Sequence, residues 1–306
     1  MSIDIIGSEA EGLLDWIILT EAFEAGHRLP RAEVADTFLY RGEDTLLTRS
    51  AWISGLGIAV KSATIMPGNP EAGLPMVNGA VNLLSDRTGM PEALVDFKLL
   101  TKWKTAGDSL LAARRLARPD AREILICGAG HVAASMIEAY RAAFPQARFT
   151  IWNRTHLTAE ALAARTGARA EADLETAVRG AEIIACTTMS SQPYIRGEWL
   201  QPGTHLDLIG AYRPDMREVD DETLRRARIF CDSRATTIQH IGEFKDPLAR
   251  GVISETDIIA DYYDIHAGTF ARRSDDEITL SKNGGGAHLD LICAQYILQT
   301  WRISRA

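Results

Sequence analysis

The spacing of apolar residues changes along the chain and predicts a mixed first third. From Ser8 to Arg28 apolar residues recur every three or four positions, which predicts a helix. Four runs with strand-like composition follow, bounded by turn residues: DTFLYR, DTLLTRSAWI, GIAVKSATIM and MVNGAVNLLSD. Between Met90 and Leu116 the spacing is again helical. This part of the chain therefore predicts an α+β domain.

After Arg118-Pro119-Asp120 the pattern alternates between short apolar runs and amphipathic segments. Strands are predicted at EILICGAG, RFTIWNR, AEIIACTT and THLDLIGAY, and helices at HVAASMIEAYRAAF, LTAEALAARTG and ADLETAVRG. Alternating strands and helices build a parallel sheet that is covered on both faces. An apolar-periodic helix then runs from Ala287 to Trp301. The second part of the chain is therefore predicted to be a doubly wound α/β domain.

Composition narrows the class of protein. The 306 residues are 46% hydrophobic, which is enough for two domains, and the net charge of −8 without a basic cluster argues against nucleic acid. The four cysteines lie in or beside apolar runs and are expected to be buried, reduced thiols. The histidines are scattered, so no metal is predicted. Acidic residues near the start, and no apolar stretch of about 20 residues, favour a soluble cytoplasmic protein.

A glycine-rich loop follows the first strand of the α/β region. Its sequence fits G-x-G-x-x-A and reads Gly128, Ala129, Gly130, His131, Val132, Ala133. The first glycine permits a tight turn, the second admits a pyrophosphate to the backbone, and helix N–H groups face the anion. Because a strand precedes the loop and a helix follows it, residues 128–132 are predicted to bind a dinucleotide. An ordinary tight turn between strand and helix is the alternative.

The end of the next strand distinguishes the two nicotinamide dinucleotides. NAD sites usually place an acid there to accept the ribose 2′-hydroxyl. This chain has Asn153, Arg154 and Thr155 instead. A guanidinium can bind a 2′-phosphate that a carboxylate would repel. The three residues therefore predict NADP(H), with NAD(H) as the alternative, unless Arg154 is only a surface cation.

Two further apolar strands end in small residues. Thr187 and Thr188 follow one strand, and Ile209 and Gly210 end the next. Ligands of open α/β sheets lie outside the carboxyl ends of the strands. These four residues are therefore candidate contacts for the nicotinamide and its ribose, although each pair alone could be a turn.

Several longer phrases extend these predictions to a family. VK, NLLSDRTGMPEALVD, LTKWKTAGDSLLAARRLA, GAGHVA, IWNRT, IGAYRPDMREVDDE and SKNGGGAHLDL occur in this order, and together they resemble the ornithine cyclodeaminase and mu-crystallin family. The resemblance implies a Rossmann-type doubly wound domain over residues 119–286. It also implies an α+β domain for substrate binding and dimerisation, built from residues 1–118 and 287–306. Exposed apolar surface on the early strands fits a homodimer.

The resemblance also assigns the substrate site. Lys61 matches the family's active-site lysine, which contacts the substrate carboxylate and the reacting nitrogen. Lys104 stands where the family usually has an arginine, so the charge is kept without the bidentate fork. Thr105 is then a phosphate or ribose contact. A further family arginine corresponds to Arg49 or Arg41, with Arg49 preferred.

Members of the family act on amino or imino carboxylates with a nicotinamide cofactor. Tyr212 stands where ornithine cyclodeaminases have a catalytic aspartate, and a phenol is a poor base at neutral pH. The resemblance therefore favours NADPH-dependent reduction of a small cyclic ketimine carboxylate, giving L-proline from Δ1-pyrroline-2-carboxylate or L-pipecolate from Δ1-piperideine-2-carboxylate. The alternatives are ornithine cyclodeaminase, alanine dehydrogenase, or an NADPH-loaded binding protein of the mu-crystallin type.

Overall fold

The computed structural model describes residues 3–306 and divides the chain into two compact units. One unit comprises Met1–Lys104 and Gly286–Ala306, and the other comprises Thr105–Gly285. Both ends of the chain therefore belong to the same unit. The first boundary falls inside a helix, earlier than residue 119 where the sequence pattern placed it.

The elements follow in chain order. The strands within residues 3–306 are β1 (Asp4–Ile6), β2 (Glu33–Arg41), β3 (Asp44–Ile53), β4 (Gly57–Ile65), β5 (Val77–Leu84), β6 (Pro91–Asp96), β7 (Glu123–Cys127), β8 (Arg148–Trp152), β9 (Arg169–Ala170), β10 (Ile183–Cys186), β11 (His205–Leu208), β12 (Ala227–Cys231), β13 (Ile258–Ala260) and β14 (Ile278–Lys282). The α-helices are α1 (Trp16–Gly26), α2 (Phe97–Leu116), α3 (His131–Ala143), α4 (His156–Thr166), α5 (Leu174–Arg179), α6 (Asp221–Arg226), α7 (Arg234–Thr237), α8 (Gly242–Ala249) and α9 (Ala287–Ile303).

The first unit contains a six-stranded sheet against which α9 packs. The strand order is β1-β6-β5-β4-β3-β2, and all neighbours are antiparallel except the parallel pair β1 and β6. Helix α9 contacts β3, β4 and α1. A Cβ added at Gly26 of α1 would lie 2.5 Å from Ile292 Cδ1 of α9, so glycine permits the close helix crossing. The C-terminal helix thereby completes the core of a unit that begins at the N-terminus.

The second unit contains an eight-stranded parallel sheet of order β13-β12-β14-β11-β10-β7-β8-β9. The predicted doubly wound α/β region is confirmed. The chain runs outward from β7 to β9 and then returns to β10, so the direction of winding reverses between β7 and β10. Such a reversal opens a crevice at the carboxyl ends of the strands, where ligands bind in open α/β sheets.

Two helix predictions in the first unit are wrong in part. The predicted helix from Ser8 to Arg28 is a 3-10 turn over Ser8–Leu13 followed by α1, because the Asp15 carboxylate accepts hydrogen bonds from two N–H groups of the first turn and caps a new helix. The predicted helix from Met90 begins as strand β6, whose buried and exposed positions alternate. Only then does α2 begin.

Other expectations concern the whole chain. All four cysteines lie in the described part, buried and with free thiols, as predicted. Among residues 3–306 no helix is long and apolar enough to cross a membrane. The same residues contain no group of three His, Cys, Asp or Glu side chains arranged to hold a metal ion.

Candidate functional site

A buried ion pair lies at the centre of the candidate substrate site in the first unit. Lys61 on β4 is the direct cross-strand partner of Arg49 on β3, so both side chains lie on the same face of the sheet. Lys61 Nζ donates a hydrogen bond to Asp290 Oδ1 of α9 at 3.0 Å. It also lies 5.0 Å from the centroid of the Phe97 ring. The sheet and the C-terminal helix therefore fix the lysine from two sides.

Three of the predicted cations act on the same carboxylate. Asp290 is only 1% exposed, and burial alone would raise the pKa of its carboxyl. The positive charges of Lys61, Lys104 and Arg49, together with the Lys61 hydrogen bond, nevertheless hold that pKa below its ordinary value. We call Arg49, Lys61 and Lys104 the cation cluster. Arg49 also pairs with Asp36, so the three cations lie beside two carboxylates and carry positive charge that can bind an anionic ligand.

A histidine pair borders the cation cluster. The rings of His27 on the loop after α1 and His288 on α9 meet edge to face, with centroids 5.2 Å apart. Burial, together with the charges of His27, Lys104 and Arg49, lowers the pKa of His288 well below its ordinary value. The His288 ring is therefore neutral at physiological pH.

The structure distinguishes the two candidate arginines. Arg41 lies at the hairpin end of β2 with its side chain 84% exposed, paired with Asp44 at 2.9 Å. Arg49 pairs with Asp36 of the neighbouring strand at 2.9 Å and lies close enough to act on Asp290. Arg49 thus joins the cluster and Arg41 does not. Thr105 is half-buried on α2, and its contact with a cofactor stays a prediction.

The glycine loop of the second unit has the shape that a dinucleotide requires. Gly128 has φ 120°, and a Cβ there would lie 2.3 Å from Thr187 Oγ1. Gly130 is the N-cap of α3, has no side-chain cap, and a Cβ added to it would meet nothing within 4 Å. The start of the helix is therefore open to an anion at the backbone, as a pyrophosphate-binding turn needs. His131 and Val132, which begin α3, are exposed, and Ala129 is half-buried.

The carboxyl ends of β7, β8, β10 and β11 are level with one another at the edge of the sheet where this loop lies. Cys127 of β7 pairs directly with Trp152 of β8 and with Cys186 of β10, and Cys186 pairs with Leu208 of β11. The segments that follow these four residues therefore start side by side at one edge of the sheet. Those segments contain the predicted cofactor contacts at positions 128–132, 153–155, 187–188 and 209–210.

The segment after β8 presents a cation and no acid. Arg154 and Thr155 are exposed, and within residues 3–306 Arg154 has no ion-pair partner. The Asn153 amide nitrogen donates to Thr155 O at 3.1 Å and to Thr158 Oγ1 at 2.6 Å. The amide nitrogen of Asn153 therefore stabilises the loop. Its amide oxygen accepts hydrogen bonds, whereas a phosphate needs a donor. Arg154 is the residue here suited to a 2′-phosphate.

The segments after β10 and β11 are joined by a buried carboxylate. Glu218 is 0% exposed and accepts hydrogen bonds from Thr188 and from the backbone N–H of Gly210. Thr187 Oγ1 donates to Cys127 O at 2.8 Å, which ties the β10 segment to the glycine loop. Ile209 N donates to Cys186 O at 3.1 Å. The predicted contacts at 187–188 and 209–210 thus belong to one hydrogen-bonded layer.

Sequence reasoning missed the two carboxylates that organise these sites. Asp290 is the one acid in helix α9, whose other residues are mostly apolar, and an isolated acid in such a helix signals a buried partner. Glu218 lies in the acid-rich stretch REVDDE, where nothing local separates a buried acid from a solvated one. The first could have been suspected from the sequence, and the second could not.

The fold and the glycine loop define a protein with a Rossmann-type dinucleotide-binding unit and a second, mixed α/β unit. Residues 52–304 match the model of the ornithine cyclodeaminase/mu-crystallin family. The chain belongs to this family, as the sequence phrases predicted. A Delta(1)-pyrroline-2-carboxylate reductase from Paracoccus denitrificans (strain Pd 1222) is 47% identical over 296 residues, which cover 94% of each chain.

Two solved structures share the fold over nearly the whole chain. The Delta(1)-pyrroline-2-carboxylate reductase of Thermococcus litoralis, in complex with NADH and L-proline, is 25% identical, with a TM-score of 0.87 and 99% of both chains covered. An archaeal alanine dehydrogenase dimer with bound NAD is 28% identical, with a TM-score of 0.88. The match covers 100% of this chain and 98% of the dehydrogenase.

Proposed function

We propose that the protein reduces small cyclic ketimine carboxylates with a nicotinamide cofactor, converting Δ1-pyrroline-2-carboxylate to L-proline or Δ1-piperideine-2-carboxylate to L-pipecolate. The observation that carries the proposal is the cation cluster around Asp290, since it offers fixed positive charge to a carboxylate beside a proton donor. The 47% identical reductase from Paracoccus denitrificans supports this substrate class.

Lys61 is the residue to which we assign both anchoring and proton donation. An ammonium has three N–H donors, and within residues 3–306 Lys61 Nζ donates one of them, to Asp290. Two donors are left for the substrate carboxylate and the imine nitrogen, while Arg49 and Lys104 add attraction for the carboxylate. A proton held at the imine nitrogen makes the neighbouring carbon more electrophilic. When bound, the reduced dinucleotide supplies the hydride that this carbon accepts.

We propose NADP(H) as the preferred cofactor. The relatives with solved structures hold NADH and NAD, so the preference rests on this chain's own residues. Arg154 follows β8 at the position where NAD sites usually have an acid. Its exposed guanidinium can bind a 2′-phosphate through two parallel hydrogen bonds.

The experiment is a spectrophotometric assay of cofactor oxidation with both cyclic ketimines, run in parallel with NADPH and NADH. We expect turnover of at least one ketimine and a higher kcat/KM with NADPH. Chromatography of the product should show L-proline or L-pipecolate in amounts equal to the cofactor oxidised. Absence of turnover with both ring sizes would overturn the assignment, and equal kcat/KM for the two cofactors would overturn only the NADP(H) preference.

Alanine dehydrogenase is a second candidate, favoured by the archaeal dehydrogenase of the same fold. The cation cluster would then bind the carboxylate of pyruvate, and ammonia would supply the nitrogen. The same assay with pyruvate and ammonia separates the two functions by their kcat/KM. Ornithine cyclodeaminase is disfavoured because Tyr212, where those enzymes have an aspartate, is an exposed phenol. Release of ammonia from ornithine would contradict this.

We also propose that two copies associate through the edge of the first unit's sheet. Strand β2 is one of the two edge strands. All its residues are exposed, and its large apolar side chains are Val34, Phe38, Leu39 and Tyr40. An exposed apolar edge strand pairs readily with another chain. Light scattering should give about twice the 33.5 kDa mass of one chain, and Phe38→Glu should shift it toward the monomer. A monomeric wild type would refute the proposal.

A further inference from the structure

The Glu218 carboxylate gathers five hydrogen-bond donors in the interior of the second unit. Oε1 accepts from Thr188 N at 2.8 Å, from Thr188 Oγ1 at 2.7 Å and from the Tyr194 hydroxyl at 3.0 Å. Oε2 accepts from Gly210 N at 3.0 Å and from Ala211 N at 3.1 Å. Glu218 is 0% exposed, so these donors replace all of its water.

The donors come from two segments that must lie unusually close together. Thr188 follows β10, and Gly210 follows β11. A Cβ at Gly210 would lie 2.1 Å from Thr188 O and 2.6 Å from Glu218 Oε1. Only glycine leaves room for this approach, and the carboxylate that bonds to both segments holds them at that separation.

A second buried acid fixes the backbone of Glu218 itself. Glu243 on α8 accepts from Glu218 N at 2.8 Å and from Val219 N at 3.1 Å, and it is 0% exposed. Glu218 therefore cannot move toward or away from the two strand ends without breaking bonds at both of its ends. The arrangement is more rigid than a loop closed by backbone contacts alone.

We propose that Glu218 is the positioning residue for the nicotinamide end of the cofactor, because it sets the spacing of the segments at 187–188 and 209–210. The inference rests on the proposed function, since those segments are predicted to contact the nicotinamide and its ribose. The cofactor site then has two separate parts, one for the phosphates and adenosine and one for the nicotinamide end. The glycine loop and Arg154 hold the phosphates and the adenosine, while Glu218 governs only the other end.

An amide cannot replace this carboxylate. The hydroxyls of Thr188 and Tyr194 can turn to accept a hydrogen bond, but backbone N–H groups cannot. In Glu218→Gln the amide nitrogen must face either Thr188 N or the N–H groups of Gly210 and Ala211. Donor then opposes donor on one side of the residue, and the two segments move apart.

The test compares dissociation constants of a complete cofactor and of a fragment without nicotinamide. Titrations use NADPH and ADP-ribose 2′-phosphate, or NADH and ADP-ribose if the wild type binds NADH more tightly. We expect Glu218→Gln to weaken binding of the complete cofactor about tenfold while changing fragment binding less than about twofold. Tyr194→Phe removes one donor, keeps the ring, and should weaken cofactor binding alone by roughly threefold. Glu222→Gln, a half-exposed acid on α6, is the matched control and should change neither constant.

Each outcome decides the inference. Equal weakening of cofactor and fragment would show general loosening of the unit and overturn it, as would unchanged binding in both variants. A wild type that binds cofactor no more tightly than fragment would also overturn it. If Glu218→Gln does not fold, Tyr194→Phe decides the inference in the same way, by whether it weakens binding of the complete cofactor more than binding of the fragment. A wild type that binds neither molecule refutes the proposed cofactor itself, which is a different failure.

Discussion

Replacing Asp290 by asparagine should destabilise the first unit through the lysine that it neutralises. Lys61 Nζ and Asp290 Oδ1 are 3.0 Å apart, and the two side chains are 11% and 2% exposed. At an effective dielectric constant of about 20, their attraction is about 5 kcal/mol. Removing one partner of a buried pair typically costs about 3–5 kcal/mol, because the other charge stays buried. We expect Asp290→Asn to fall in this range.

A second substitution tests whether the loss of stability is caused by the buried ammonium of Lys61, which has no carboxylate partner in Asp290→Asn. Lys61→Met removes that charge, so Lys61→Met/Asp290→Asn should be about 2 kcal/mol more stable than Asp290→Asn alone, although it lacks two polar groups. A simple loss of contacts would make the double variant the least stable. The sign of the difference between these two variants therefore separates the explanations.

Hydrogen exchange of the α9 amides is the measurement, because it reports opening of the unit that contains the pair. The matched control is Asp4→Asn, which breaks an ion pair to Arg302 of similar length, 2.9 Å, in the same unit with side chains 30% and 50% exposed. That exposed pair should contribute less than about 1 kcal/mol. A cost below 1 kcal/mol for Asp290→Asn, or a double variant no more stable than it, would refute the reasoning.

Three further predictions concern chemistry, cofactor choice and pH. Lys61→Met should lower kcat/KM for the ketimine by at least about 100-fold, while Lys61→Arg, which keeps the charge, should lower it less; equal losses would contradict an electrostatic role. Arg154→Asp should raise the KM for NADPH about 30-fold and leave the KM for NADH within about threefold, since only the 2′-phosphate meets the changed charge; parallel changes would contradict the assignment. Burial, and then the charge of Glu218, raise the pKa of Glu243 to about 7. Because that value exceeds the one expected in the unfolded chain, the stability contributed by Glu243 is present below about pH 4.5 and is lost as pH rises through 7. Between pH 5 and pH 8 the unfolding free energy of Glu243→Gln should therefore rise by about 2.5 kcal/mol relative to that of the wild type. A difference that does not change with pH would contradict this.

Local patterns predicted the class of the second unit and its elements from β7 to β11 except β9, but they predicted none of β12, β13, β14 and α6 to α8. They were also insufficient for parts of the first unit. The alternation of buried strands and amphipathic helices predicted the parallel sheet, and Gly128 and Gly130 marked the edge at which we propose that the cofactor binds. The two errors in the first unit have different local causes. Asp15 caps a new helix inside an apparently continuous helical pattern, and β6 is too short for its alternation of two buried residues to stand out.

The candidate sites show the same division between local and long-range information. Resemblance proposed Lys61 and Lys104 and preferred Arg49 to Arg41, but it could not predict that Arg49, Lys61 and Lys104 surround one buried carboxylate. The carboxylate that Lys61 meets lies 229 residues later, and no spacing rule connects two such positions. Glu218 is likewise invisible among its acidic neighbours until the strand ends that it joins are brought together.

The shared membership of the two chain ends has a consequence for biosynthesis. Every element of the second unit leaves the ribosome before α9 does, so that unit can fold while the polypeptide is still being made. The first unit cannot complete its core in that interval, because the helix that covers its sheet and pairs with Lys61 is translated after the whole second unit. Until α9 emerges, a complete sheet with an apolar edge strand stays uncovered, and exposed apolar surface of this kind makes a nascent chain prone to aggregation.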